Sequence, residues 1–109
     1  MSYRVVVLAR ARLDVVTIYD WIADRSLEGA QRWLEQFEKA TATLETNPFI
    51  APLAPESGSF DIEVRHILFR TRSGRTYRAV FTVVDDEVRI LRVRGPGQPP
   101  LRPRDVASE

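Results

Sequence analysis

The sequence predicts an α+β fold in the order β-α-α-β-β-β, with a helical hairpin packed on one face of a curved, mainly antiparallel sheet. Three observations carry this reading. Residues 9 to 44 contain two successive stretches whose apolar residues recur at helical spacing. Residues 62 to 93 contain three stretches of alternating side chains separated by turn signals. The segment between them, PFIAPLAPESGSF, holds three prolines and a Ser-Gly-Ser and reads as a connection.

The first element is YRVVVL (3 to 8), β-branched and apolar, a strand. From Ala9 to Arg25 the period changes, with Leu13, Val16, Tyr19 and Ile22 forming an apolar helical stripe and Asp14, Asp20 and Asp24 on other faces. Ser26 breaks that pattern and is placed to cap a second helix, with Gly29 in its first turn. Along that helix Ala30, Trp33, Leu34, Phe37, Ala40, Thr41 and Leu44 share one stripe, and Arg32, Glu35, Glu38, Lys39 and Glu45 point outward. Trp33 therefore reads as a core residue rather than a stacking platform. Asn47-Pro48 ends the helix. Two adjacent amphipathic helices form a hairpin that must bury its stripe, and a sheet is the available surface.

The strands follow as IEVRHILF (62 to 69), TYRAVFTVV (76 to 84) and EVRILRV (87 to 93), with turns at Ser73-Gly74 and Asp85-Asp86. Such an order is a β-meander. Alternation groups His66 with Val64 and Leu68, expected to face the helices, half-buried and satisfied rather than acting as a base. The tail RGPGQPPLRPRDVASE carries too much proline and glycine for regular structure. The expected organisation is one domain over 1–95 and a Pro-rich C-terminal tail over 96–109.

Composition narrows the chemistry. The 109 residues are 44% hydrophobic and 28% charged, within the range of folded domains. There is no cysteine and only one histidine, His66, so thiol chemistry, disulfides and His- or thiolate-bound metal clusters are excluded and no metal or cofactor is expected. The VVVLA run is too short for a membrane span or a signal h-region, which makes a cytoplasmic protein without membrane contact the expectation.

Net charge is +1, yet it is unevenly spread: residues 1 to 61 sum to −3, residues 62 to 104 to +6 and the last five residues to −2. Ten arginines lie between 62 and 104, four of them (Arg70, Arg72, Arg75 and Arg78) within RTRSGRTYR. A solvated arginine-rich face is the plainer reading. The sharper one has Arg65, Arg78, Arg92 and Arg94 meeting on the sheet face away from the helices, crowned by Arg70, Arg72 and Arg75. Tyr77, Phe69 and Phe81 would be interleaved in a basic hollow for a polyanionic or acidic partner. Arginine suits that task because its planar fork donates paired hydrogen bonds and stays charged.

The segments YRVVVLARARLDVVTIYDWIAD, AQRWLEQFEKATATLETNP and above all EVRHILF…YRAVFTVVDDEVRILRVRG resemble the RelE/ParE superfamily of type II toxin–antitoxin toxins, over roughly residues 3 to 95. The resemblance implies a growth-inhibiting, plasmid-stabilisation-like toxin neutralised by a cognate antitoxin. ParE-like members poison DNA gyrase; RelE-like members enter the ribosome and cleave mRNA. Arg78 matches the arginine that stabilises the cleaved phosphate in the nuclease branch, Arg65 matches an arginine of many ParE-like members, and Arg94 alone falls near the further nuclease arginine. The terminal tyrosine or histidine of that branch has no counterpart in VRGPGQPPLRPR. Cleavage through a 2′-hydroxyl needs proton transfer as well as charge stabilisation, and arginine is a poor acid or base. A binding, ParE-like toxin is therefore the preferred expectation. An mRNA endonuclease using Arg65, Arg78 and Arg94 is the alternative, and a non-toxic antitoxin-binding paralogue the second. Arg78→Ala is expected to cost activity more than stability.

Overall fold

A computed structural model describes residues 2–106; Met1 and residues 107–109, the outer ends of the two expected segments, lie outside the described residues. The elements are β1 (Arg4–Val7), α1 (Ala9–Ala23), α2 (Leu27–Thr43), β2 (Arg65–Phe69), β3 (Tyr77–Val84) and β4 (Glu87–Arg94). The two helices pack on a four-stranded sheet ordered β1-β4-β3-β2, so the β-α-α-β-β-β reading holds. β2, β3 and β4 form the expected antiparallel meander, and β1 adds in parallel to β4. Asp85 takes the left-handed conformation (φ 56°) that a two-residue hairpin requires. No helix among the described residues is long and apolar enough to cross a membrane.

Local chemistry explains the helix ends. Ser26 Oγ accepts the Gly29 N–H at 2.9 Å and starts α2, while Asn47 Oδ1 accepts the Phe49 N–H at 3.2 Å and opens the Pro48–Ile50 turn. The α2 stripe buries as expected: Ala30, Trp33, Phe37, Thr41 and Leu44 are inside, and the Thr41 hydroxyl is satisfied by the Phe37 carbonyl at 3.0 Å. Trp33, Phe37, Phe69 and Tyr77 pack as one aromatic cluster with ring centroids 5.5–6.1 Å apart.

The stripe on α1 differs from expectation. Ala11, Val15, Ile18, Tyr19 and Ile22 meet the core, whereas Leu13 and Val16 are 65% and 55% exposed. The helix is rotated so that small Ala11, fully buried, sits where the chain leaves β1, allowing a close approach to the sheet. Leu13 and Val16 are left as apolar surface.

The second sheet face is covered rather than open. Ala54, Val64, Val80 and Leu101 form a smaller core there, with Phe60 against it. The C-terminal segment is irregular apart from a 3₁₀ turn at Pro103–Asp105, yet Leu101 is only 1% exposed. A bulge sets which arginines share this face. The β3–β4 register shifts beside Val80 and Phe81, so that Phe81 pairs with Ile90 but Val80 pairs with Arg92. Leu91 is the extra residue. Without it Ile90 and Arg92 would point the same way; with it Ile90 and Val93 enter the main core and Arg92 and Arg94 turn to the other side.

Candidate functional site

The face opposite the helices brings together Arg78, Arg92 and Arg94, as Arg78 and Arg94 are direct cross-strand partners and Arg92 lies opposite Val80. Two of the three are closed by carboxylates. Arg78 donates from Nη1 to Glu56 Oε1 at 2.8 Å and from Nη2 to Glu56 Oε2 at 2.5 Å. Glu56, buried, also accepts the Leu101 N–H at 2.8 Å. Burial alone would push this carboxyl up, but the Arg78 and backbone hydrogen bonds outweigh it and hold it down at about 2. Arg92 grips Asp14 of α1 through Nε at 2.7 Å and Nη2 at 3.0 Å, and donates from Nη1 to the Asp105 carbonyl at 2.8 Å. Asp14 also accepts the Val93 N–H at 2.9 Å, capping β4 where β1 has already ended.

His66 lies on this same face, not toward the helices. Its neighbours Ile67 and Phe69 take the helix side and pack into the main core. His66 Nδ1 stands 3.3 Å from Arg78 Nη1, and burial, then the Arg78 charge, lowers its pKa against the pull of Glu56. Tyr77, Phe69 and Phe81 belong to the helix-side core, so they do not line the arginine face.

Arg94 differs from its neighbours. It is 9% exposed, and its hydrogen bond runs from Nη2 to the Pro99 carbonyl at 2.8 Å. Its Nε is buried with no partner among the described residues. Burial and then the charge of Arg92 lower its pKa against the pull of Asp105 and Asp14.

The remaining expected arginines lie elsewhere. Arg65 is paired with Phe81 in the sheet and so sits on the helix side, donating to the Ala51 carbonyl at 2.7 Å and to Glu63 at 3.5 Å, with its Cζ 5.2 Å from the Phe49 ring centroid. The expected single hollow of Arg65, Arg78, Arg92 and Arg94 is thus split by strand alternation and roofed by the loop and tail. Arg70, Arg72 and Arg75 are exposed on the β2–β3 turn, without an ion pair or hydrogen bond among the described residues.

Beside that turn is a cleft of about 400 Å³ lined by Ile18, Trp21, Arg75, Tyr77, Gly95 and Pro96, among others. Trp21 is 56% exposed, with the Arg25 guanidinium 3.9 Å above its ring. Gly95 permits this floor: a Cβ there would come within 3.0 Å of Tyr77 Cε2. The signal for Trp21 in the sequence is its position off the apolar stripe of its helix, where a large aromatic side chain is left exposed. Glu56 and Asp14 offered no such signal, because their partners lie 22 and 78 positions away.

The family model described as ParE toxin of type II toxin-antitoxin system, parDE, matches residues 5–98. No curated protein matches the chain significantly. The matched span takes in both helices, all but the first residue of the sheet and eight of the ten arginines between 62 and 104, and the fold agrees with it. The chain belongs to the ParE toxin family of type II toxin–antitoxin systems.

Proposed function

We propose that this toxin inhibits growth by binding a target such as DNA gyrase rather than by cutting RNA, and that a cognate antitoxin neutralises it. The observation that supports this is the division of the arginines. Arg78 and Arg92 are held by carboxylates and Arg94 by the tail, so of the arginines expected to act, those free to meet a partner are Arg70, Arg72 and Arg75 on one turn. The aromatic cleft of Trp21 and Tyr77 adjoins that turn through Arg75. No carboxylate or imidazole among the described residues is bonded to these three arginines, so they supply charge without a proton-transfer partner. Exposed Leu13 and Val16, next to a shallow depression between Val15, Tyr19 and Leu34, offer the antitoxin apolar anchoring on the helix side.

A second reading, ribosome-dependent mRNA cleavage, is favoured by one observation: Glu56, His66 and Arg78 are in contact. Against it, Glu56 is sealed under Leu101 and held at about 2, which makes it a weak base. Inducible expression with and without the neighbouring antitoxin frame, combined with mapping of transcript 5′ ends, separates the readings. Growth arrest with intact transcripts and an induced DNA-damage response supports the binding toxin. Codon-phased cuts overturn it, and normal growth identifies a non-toxic paralogue.

A further inference from the structure

We propose that Arg94 is the receptor for one carboxylate of an acidic protein segment, taken up in the cavity beneath Pro99–Asp105. Three arginines stand side by side on this sheet face, and the carboxylates that match them number two. Glu56 neutralises Arg78 and Asp14 neutralises Arg92. Asp105, a further carboxylate lining the same cavity, is engaged by the Arg102 N–H at 2.8 Å and by Arg102 Nε at 3.7 Å. Arg94 therefore bonds to a neutral carbonyl and keeps an Nε with no partner among the described residues; Asp105 and Asp14 attract it without a hydrogen bond, and burial with the Arg92 and Arg78 charges outweighs them. A guanidinium in that state is costly to bury, and its burial is repaid only when an anion arrives.

The space and its walls define the ligand. Arg94 borders a cavity of about 670 Å³ with Pro55, Ser59, Pro99, Leu101 and Arg102. Its unbalanced charge is a single positive one, which fits a carboxylate better than a phosphate dianion. With Glu56 and Asp105 also in the wall, one added negative charge is matched by Arg94 whereas a strand of successive phosphates is not, and no aromatic ring among the described residues lines the cavity for a base to stack on. Proline and leucine walls suit apolar residues flanking the acid. The Pro99 carbonyl occupies the guanidinium as a neutral stand-in, which a carboxylate displaces with a charge-assisted pair. The inference does not depend on whether the acidic segment comes from antitoxin or target.

The test uses the ¹⁵N-labelled full chain and reads the arginine Nε–H resonances by NMR, with that of Arg94 identified by its loss in Arg94→Lys. The probes are sodium acetate, the peptide acetyl-Leu-Glu-Leu-amide, sodium phosphate and sodium chloride at matched ionic strength. A saturable shift of the Arg94 resonance with both carboxylates, the peptide saturating at roughly tenfold lower concentration, is the expected result. No saturable shift, a shift shared equally by Arg70, or tighter saturation by phosphate overturns the proposal. So does equal saturation by acetate and peptide, which would leave a site for small acids only. Arg94→Met gives a second reading: removing an unmatched buried charge leaves Tm unchanged or higher, whereas a fall as large as that of Arg78→Met marks Arg94 as structural and overturns it. These probes report on the cavity without any cellular target, so their failure leaves the growth and transcript results standing.

Discussion

Glu56 and Arg78 are joined by two parallel hydrogen bonds, Nη1 to Oε1 at 2.8 Å and Nη2 to Oε2 at 2.5 Å, across 22 positions of sequence. The pair pins the 51–60 loop to the start of β3, and through Glu56 and the Leu101 N–H it pins the C-terminal segment as well. The arginine that the sequence offers as a phosphate-stabilising group is a structural tie.

Breaking the tie from one side leaves an uncompensated charge inside. Glu56→Ala and Arg78→Ala are each expected to cost about 3–5 kcal/mol, while the double replacement Glu56→Leu/Arg78→Met costs clearly less. Urea denaturation of the four proteins checks this. It reverses the expectation from sequence that Arg78→Ala would spare stability.

The same pair sets the acid limit. The folded pKa of Glu56, about 2, lies below its ordinary value of 4.5, so its contribution is fully present above pH 4.5 and is lost as pH falls from 4.5 through 2. The loss amounts to roughly 3 kcal/mol. His66 adds a loss that begins earlier: its folded pKa lies below 6.5, the folded state resists the proton, and stability declines as pH drops through 6.5. Thermal melts between pH 7 and 2 should show both, and Glu56→Gln should flatten the lower one.

The C-terminal segment is expected to behave as part of the folded unit. Leu101→Ala removes a side chain from the small core of Ala54, Val64 and Val80 and should cost about 2–4 kcal/mol. The Leu101 amide, which donates to Glu56, should exchange with solvent as slowly as strand amides of β3. Rapid exchange there would show that the segment is not docked.

Replacing Arg70, Arg72 and Arg75 together with alanine should change stability by no more than about 0.5 kcal/mol, because all three are exposed and unpaired among the described residues. Growth inhibition by the triple variant should nevertheless be abolished. Retained toxicity with unaltered stability would place the working surface elsewhere.

The fold was legible because its signals are local. The α2 stripe from Ala30 to Leu44, the Ser26 cap and the Asp85-Asp86 hairpin each lie within a few residues of their consequence. The candidate site was legible only in part, since it depends on features without local marks. One extra residue at Leu91 decides that Arg92 and Arg94 face away from the helices, and nothing in EVRILRV distinguishes it from plain alternation. The pairing of Arg92 with Asp14 needs α1 beside the end of β4, and the roofing of Arg94 needs a proline-rich tail folded back over the sheet. His66 faces away from the helices, against the expectation from alternation, since Ile67 and Phe69 claim the helix side.

The central claim, a toxin that acts by binding through its exposed arginine turn, is tested most directly by DNA supercoiling with purified gyrase, comparing the unaltered protein with the Arg70/Arg72/Arg75→Ala variant. The expected result is concentration-dependent inhibition by the former and none by the latter. Supercoiling left untouched by an unaltered protein that still arrests translation would contradict the account.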